Sequence, residues 1–380
     1  MRITIVQGAF FPVPALLGGA VEKIWFALGR EFARRGHEVV HISRRFRGLP
    51  DEEVVDGVRH IRVSGFSAPA SLSILKILDL VYSLRVLRKL PPADIMVTHT
   101  FWLPFLIRHH RFGHLYVHVA RYPKGQMGFY RHAARLHTVS SAVVEAIFRQ
   151  SPACKNIVKK IPYPLLNDVL ASQEELSATK RRNEFLFVGR VHPEKGLLLL
   201  LEAYEKYCAT QDQPWNLVIV GPWEENLGGG GEAFLQKLRQ FSSVKTRSRI
   251  TWIGFVSDVR ELRKQWLQAG LFIYPSLAEK GETFGLAPLE AMGCGCPVLT
   301  SDLKCFAEYI IDSETGFIFN HQVDNPADVL AAKLVQLTSD SVTRARVAHR
   351  GWQQAAELSL ERIAEKHLED FASILAGTPS

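Results

Sequence analysis

Seven residues separate two glutamates, Glu282 and Glu290, in the stretch GETFGLAPLEAMGCGCPV at 281–298. Between them stand Phe284, Gly285, Leu286 and Pro288. Pro288 suits the first turn of a helix, where a missing N–H costs nothing. Gly285 lets the backbone approach a ligand closely. The helix start that follows offers unpaired N–H groups and a partial positive charge to a phosphate. Glu290 is then expected in the first helical turn, where its carboxylate accepts hydrogen bonds from a ribose diol. Glu282, in the loop before the helix, does the same for a sugar hydroxyl. On spacing alone, the preference of acidic residues for first turns is the simpler account. The neighbourhood reverses that preference. Ala291–Gly293 reads as a helix end and Cys296–Thr300 as a turn and buried strand, which puts both glutamates at a strand–loop–helix junction where open α/β sheets bind ligands.

A second constellation is Gly189-Arg190-Val191-His192-Pro193-Glu194-Lys195-Gly196, directly after the apolar run Glu184–Val188. Arg190 and Lys195 are five apart across a loop with a proline, so both reach one ligand. Arginine grips a phosphate with two N–H groups and lysine adds a compact charge, which together neutralise a departing diphosphate. A surface ion pair with Glu194 is the competing reading. Gly18-Gly19 at a helix start has the look of a phosphate-approach loop, although a lone Gly-Gly more often marks a tight turn. His99 and His118 fall at strand ends; single histidines are more often structural. The chain has no Asp-x-Asp pair for a divalent cation, no Gly-x-Ser-x-Gly elbow, no Walker sequence and no dinucleotide fingerprint. Chemistry with arginine, lysine and a helix dipole as electrophiles remains.

Two α/β domains are expected to position these residues. The first opens with strand Ile3–Val6, a loop with Pro12 and Pro14, a helix over 20–35 ended by Gly36-His37, and strand Val39–Ser43. Further strands are expected at Val58–Val63, Ile95–Thr98, Leu115–Val119 and Leu136–Val139, with a helix over Ser140–Arg149. The pattern restarts at Glu184–Val188 and runs through helix 197–207, strand 215–220, helix 234–241, strand 250–252, helix 259–268 and strand 271–274. Alternation of this kind predicts parallel sheets covered on both faces. Residues 1–165 form the first domain and 180–355 the second. The polar stretch 165–182 reads as a linker, Gly228–Gly231 as a flexible surface loop, and a last helix in about 359–380 packs back on the first domain.

With these motifs in place, the chain resembles glycosyltransferase family 4 over nearly its whole length. Glu282-Thr-Phe-Gly-Leu to Glu290-Ala-Met matches that family's E-x7-E motif. Phe187-Val-Gly-Arg190 with Pro193-Glu-Lys195-Gly matches its diphosphate Arg/Lys pair, and Gly18-Gly-Ala-Val-Glu22 its N-terminal glycine loop. The resemblance implies the GT-B fold, two Rossmann-like doubly wound domains facing across a cleft. It implies a metal-independent, retaining transfer of sugar from a UDP- or GDP-sugar to a glycan or lipid-linked acceptor, with no cofactor, in cell-envelope polysaccharide or glycolipid synthesis. By it, Arg190 and Lys195 hold the diphosphate, Glu290 the ribose and Glu282 the donor sugar. The backbone of Phe284, Gly285 and Leu286 faces the diphosphate or sugar. Gly18 and Gly19 close on the donor, His118 contacts the sugar, and Phe255 and Val256 line the base. Departures stand at Pro162-Tyr163-Pro164 in place of Pro-Asn-Gly, at Val119 in place of an aspartate, at Gly221-Pro222-Trp223 and near Lys304-Cys305. Another GT-B enzyme, such as a nucleotide-sugar epimerase, and a non-catalytic nucleotide-sugar-binding protein are the competing readings.

Charge is uneven along the 380 residues. Residues 1–170 hold 24 lysines and arginines against 11 acids, a net of +13, and the rest hold 22 against 27, a net of −5. A basic half points to an acidic partner. No nucleic-acid-binding module is recognisable. The stretches Ser71–Leu90 and Phe101–Arg111 set apolar residues beside basic ones, which suits an anionic membrane surface. The N-terminus lacks the features of a signal peptide, and no run reaches the about 18 apolar residues that span a bilayer. The expected location is the cytoplasm or the cytoplasmic face of a membrane. Five cysteines without a second pair or histidine pair form neither a disulfide framework nor a zinc site.

Overall fold

A computed structural model describes residues 1–69, 71–107 and 109–377. Contacts divide the chain into two compact units: Met1–Pro164 with the C-terminal helix Leu360–Leu375, and Leu165–Ser359.

Unit 1 holds strands β1 (Arg2–Val6), β2 (Glu38–Arg44), β3 (Glu52–Val55), β4 (Val58–Val63), β5 (Ile95–Thr98), β6 (His114–His118), β7 (Arg135–Thr138) and β8 (Val158–Lys160). Their order is β3-β4-β2-β1-β5-β6-β7-β8, and every neighbouring pair is parallel except the β3–β4 hairpin. β1 and β5 are buried along nearly their whole length, as strands covered on both faces must be. Helix Ala20–Arg34 turns Ile24, Trp25, Leu28 and Phe32 onto the sheet, and all four are buried. The helix ends in a left-handed Gly36 (φ 86°), with the His37 N–H donating to Phe32 O and the Gly36 N–H to Ala33 O. Helix Leu360–Leu375 belongs to this unit. Phe371 packs on Tyr116 and Phe32, Asp370 pairs with Arg135 at 2.8 Å, and Arg35 donates to Glu361 O at 2.7 Å.

Unit 2 holds β9 (Glu184–Val188), β10 (Asn216–Val220), β11 (Ile250–Ile253), β12 (Leu271–Tyr274), β13 (Val298–Ser301) and β14 (Phe317–Phe319), all parallel in the order β11-β10-β9-β12-β13-β14. Strand order reverses between β9 and β12 here, and between β1 and β5 in unit 1. Such switch points open a crevice at the carboxyl ends of the strands.

Three sequence expectations change. The stretch 165–182 is no free linker: the Leu165 N–H donates to Leu358 O, Ala171 N–H to Gly293 O, and the Arg181 guanidinium to carbonyls of Trp266, Leu267, Ala269, Cys294 and Gly295. Gly228–Gly231 is a fixed turn, with Gly230 N–H on Val191 O and Gly231 N–H on Trp223 O. A Cβ at Gly229 would stand 2.2 Å from the Trp223 carbonyl carbon, so the glycine is there for space. Phe101–Arg111 forms only a short helix, Leu103–Leu106, and a tight turn over His110–Phe112; Arg108 lies outside the described residues. Pro104 and the extended Ile107 stop any longer helix.

Candidate functional site

Lys195 and Glu282 meet at the switch point of unit 2. Lys195 ends the short turn after β9, and Gly196 (φ 70°) begins helix Leu197–Thr210 behind it. Any Cβ on Gly196 would fall 1.9 Å from Pro275 O, so β9 and β12 approach this closely only with glycine there. Glu282 stands in the loop after β12. The Lys195 ammonium donates to Glu282 Oε2 at 2.6 Å, and the Tyr274 hydroxyl donates to the same oxygen at 3.0 Å. Lys195 also lies 5.4 Å from the Tyr274 ring centre. The pair is nearly dry, with side chains 8% and 11% exposed. Burial, and then the charge and hydrogen bond of Glu282, push the Tyr274 hydroxyl well up, so it stays a donor.

Arg190 is more open. One guanidinium N–H donates to Gly228 O at 2.7 Å and another to Glu194 Oε1 at 2.7 Å, with side chains 42% and 33% exposed. The locked glycine turn therefore has a local task, the aim of Arg190. Each of the two cations that the sequence reading assigns to a diphosphate is held by an internal carboxylate.

The loop from Glu282 runs through buried Phe284 to Gly285 (φ 81°), which starts helix Leu286–Gly293. Tyr309 OH donates to Phe284 O at 3.2 Å and Gly285 O at 2.6 Å, turning those carbonyls inward and leaving the first-turn N–H groups of Leu286 and Ala287 at the helix opening. Pro288 is the third helical residue, within the first turn as expected. Glu290 is the fifth, which corrects its expected place: the left-handed Gly285 starts the helix early enough to put Glu290 in the second turn, on the Leu286 face. Phe255 and Val256 follow β11, with Phe255 exposed and Val256 half-buried.

In unit 1, Gly18 (φ 77°) and Gly19 (φ 106°) lead into helix Ala20–Arg34 at the β1/β5 switch point. Glu22 folds back over Gly19, where a Cβ would stand 2.3 Å from its Oε2, and burial raises its carboxyl above the usual range. His118, at the end of β6, is buried. The His137 Nε2–H donates to Ile161 O at 2.9 Å, which leaves His137 Nδ1 bare to accept from His118 Nδ1–H at 2.7 Å. His118 Nε2 then accepts from Tyr163 OH at 2.9 Å. Both ring nitrogens of His118 are thus engaged inside unit 1, and a sugar reaches His118 only by displacing Tyr163. Sequence reasoning missed Tyr274 and Tyr309, and it named Glu194 only as the partner in a competing surface ion pair, a pair that forms with Arg190. The Glu194–Arg190 spacing of four was the one available signal. Among the described residues no cluster of three or more His, Cys, Asp or Glu is arranged to hold a metal ion.

These units and their strand-end sites define an α/β protein of the GT-B class, and the comparisons agree. Sucrose-phosphate synthase from Thermosynechococcus elongatus superposes with a TM-score of 0.78 at 18% identity, over 100% of both chains. Anabaena HepE in complex with UDP and glucose superposes with a TM-score of 0.70 at 16% identity, over 98% of this chain and 100% of that one. Residues 169–354, nearly all of unit 2, match the family model described as glycosyl transferases group 1. O-antigen chain mannosyltransferase B of Escherichia coli is 30% identical over 189 residues, 49% of this chain and 45% of that protein, so the match spans about half of either.

Proposed function

We propose that the protein moves a sugar from a nucleoside-diphosphate sugar to an acceptor hydroxyl, with retention at the anomeric carbon and without a metal ion. The observation that carries this reading is the dry Lys195–Glu282 pair at the unit 2 switch point, with Arg190 and an open helix start beside it. In the apo protein, carboxylates neutralise both cations. The diphosphate replaces them: Lys195 and Arg190 turn to phosphate oxygens, the Leu286 and Ala287 N–H groups add to the same charge, and Glu282 is released to accept from a sugar hydroxyl. Glu290 takes the ribose. The bond from the anomeric carbon to the phosphate oxygen breaks with its electron pair going to the diphosphate. The acceptor oxygen bonds to that carbon on the same face, and its proton passes to the departing oxygen. HepE forms a complex with UDP and glucose, and the Escherichia coli relative is a mannosyltransferase by name. The donors to test are therefore UDP-glucose and GDP-mannose. Thermal shift with UDP, GDP and ADP identifies the base. Turnover of the matching sugar nucleotide in EDTA, with an α-linked product by NMR, supports the reading; loss of turnover in EDTA or a β-linked product ends it.

A lipid-borne acceptor is part of this proposal. Helix Leu72–Leu87 exposes Leu72, Ile74, Ile77 and Leu84 beside Lys76, Arg88 and Lys89. Ile74, Ile77 and Leu84 share one face, and Phe129 is 63% exposed in the same unit. The Phe101 and Trp102 N–H groups donate to buried Asp79 of this helix, which burial lifts to about 6. No helix of the described residues is long and apolar enough to cross a membrane. The protein is expected to sediment with anionic vesicles and to leave them in high salt. Equal partitioning onto neutral vesicles refutes this part.

A further inference from the structure

Parallel strands β12, β13 and β14 are neighbours, so the loops leaving their carboxyl ends are neighbours too. Three polar residues far apart in sequence meet there. Asp302 is the first residue after β13, His321 the second after β14, and Glu279 lies in the loop after β12, three residues before Glu282. The His321 ring stands between the two acids. Its Nδ1 bonds to Asp302 Oδ1, and that oxygen also accepts the His321 backbone N–H at 3.0 Å. Its Nε2 bonds to Glu279 Oε1 at 3.0 Å, and the Gln322 amide donates to that oxygen at 2.7 Å. The ring is only 6% exposed, although Asn320 and Gln322 on either side are exposed or nearly so. Carboxylate oxygens accept and do not donate, so the bridge is complete when the ring carries both its protons.

We infer that His321 is a positioning residue for Glu282: by bridging Glu279 to Asp302 it fixes the loop that carries Glu282 to the ends of two strands outside that loop. The inference rests on the reading of Glu282 as the sugar contact. On its other side the same loop is held by Leu277 N–H on Glu194 O at 2.8 Å and by Lys195 on Glu282. The outer half of the loop is held at Glu279, by His321 Nε2 at 3.0 Å and by the Gln322 side-chain amide at 2.7 Å. Within the loop, the Gly281 and Glu282 N–H groups both donate to Ala278 O, at 3.0 and 2.9 Å, and these bonds persist only while the loop keeps its shape. Sugar binding depends on the Glu282 carboxylate staying within hydrogen-bond reach of one hydroxyl, and a displacement of about 1 Å is enough to weaken such a contact strongly.

The experiment compares wild type with His321→Ala, Glu279→Ala and the conservative Glu279→Gln, which keeps an acceptor for the ring. Glu279 is 51% exposed, so its substitution leaves the fold intact. In the unliganded protein, hydrogen exchange at the Gly281 and Glu282 amides is expected to quicken about tenfold in both alanine variants and to stay near wild type in Glu279→Gln. KM for the sugar nucleotide (UDP-glucose or GDP-mannose) is expected to rise about tenfold in the alanine variants, while Kd for UDP or GDP without a sugar stays within about twofold. Unchanged exchange overturns the inference. Equal weakening of nucleotide and sugar nucleotide overturns it as well, because that marks a merely structural role. If wild type binds no nucleoside diphosphate, the proposed function falls, and the exchange rates alone uphold or overturn the bridge.

Discussion

The two units share a topology and treat polar groups in opposite ways. Unit 2 keeps its functional polarity charged, at the strand ends, in pairs of one cation and one carboxylate: Lys195 with Glu282, Arg190 with Glu194. Unit 1 keeps a large part of its polarity neutral and inside. His41, His60, His99, His118, His137 and His367 are buried or nearly so, and Trp25 stands edge-on to four of them at ring-centre distances of 5.1 to 6.0 Å. Burial depresses every one of these imidazoles, to about 4 for His60 and His137 and about 3 for His99. A charged pair at an open edge is a site that an anion can enter by exchange, whereas a neutral ring cluster in a core holds shape and excludes charge. At the strand-order reversal of unit 2 stands a charged pair, whereas in unit 1 the histidine at the end of β6, one strand beyond the reversal, already has both ring nitrogens bonded.

The largest effect expected from this contrast is at Lys195. On the proposed function, Lys195→Ala removes a cation at the leaving group, and it leaves Glu282 almost dry beside Tyr274 without its partner. A loss of about 10³ in kcat/KM is expected, or about 4 kcal/mol, against a loss of tenfold or less for a His118→Ala variant. Steady-state kinetics check both. A larger loss at His118 than at Lys195 breaks the comparison, since the chemistry would then sit with the buried rings.

Next in size is acid sensitivity, which should divide the units. An imidazole with a folded pKa below its unfolded value near 6.5 contributes full stability above pH 6.5 and loses it as pH falls toward the folded value. For His60 and His137 that window runs from 6.5 down to about 4, and for His99 down to about 3. By pH 4.5 each such ring has withdrawn about 3 kcal/mol of stability, two pH units at about 1.4 kcal/mol each. Unit 1 is expected to open between pH 6 and pH 4.5 while unit 2 stays protected, as read by hydrogen exchange at amides of β6 and β7 against those of β9 and β12. Simultaneous loss of both units removes the distinction.

The sequence made most of unit 2 legible because its signals are local. The motifs at 189–196 and 281–298 each fall within one loop, and strand–helix periods run through both sheets nearly to the residue. Three strands went unread. β3 and β8 are short, charged edge strands, EEVV and VKK, and β14 has three residues. Helices Pro326–Ser339 and Ser341–Ala356 also escaped, although Asn325-Pro326 signals the start of the first. What could not be read is whatever depends on register. His41 faces His60 across β2 and β4, and His118 faces His137 across β6 and β7; sequence spacings of 19 carry no period. Glu279, Asp302 and His321 are likewise joined only by the order of β12, β13 and β14. Gly228–Gly231 misled in the other direction, because composition cannot tell a glycine chosen for freedom from one chosen for space.

A smaller effect probes the helix opening itself. Gly285→Ala puts a side chain on a residue with φ 81° and a Cβ 2.5 Å from Phe306 Cε1. The strain and the clash are expected to destabilise the protein by about 2 kcal/mol and to weaken UDP or GDP about tenfold, since the Leu286 and Ala287 N–H groups move with the backbone. Denaturant midpoints and calorimetric titration check the two parts separately. Lost stability with unchanged nucleotide affinity would detach the helix start from the phosphate.

The smallest effect is the most direct test of exchange between internal and external anions. Glu194→Gln keeps a hydrogen-bond acceptor near Arg190 and removes the charge. The pair is partly exposed and worth about 0.2–1 kcal/mol, so the substitution is expected to tighten nucleoside-diphosphate binding about two- to fivefold at low salt. The gain should shrink as salt rises, because the pair that wild type must open is itself screened. Gly228 still accepts from the guanidinium, so Arg190 keeps its aim and only its competitor is gone. Binding that weakens instead would mean that Glu194 orients Arg190 for the phosphate and does not compete with it, and the parallel between the Arg190 and Lys195 pairs would fail at that point.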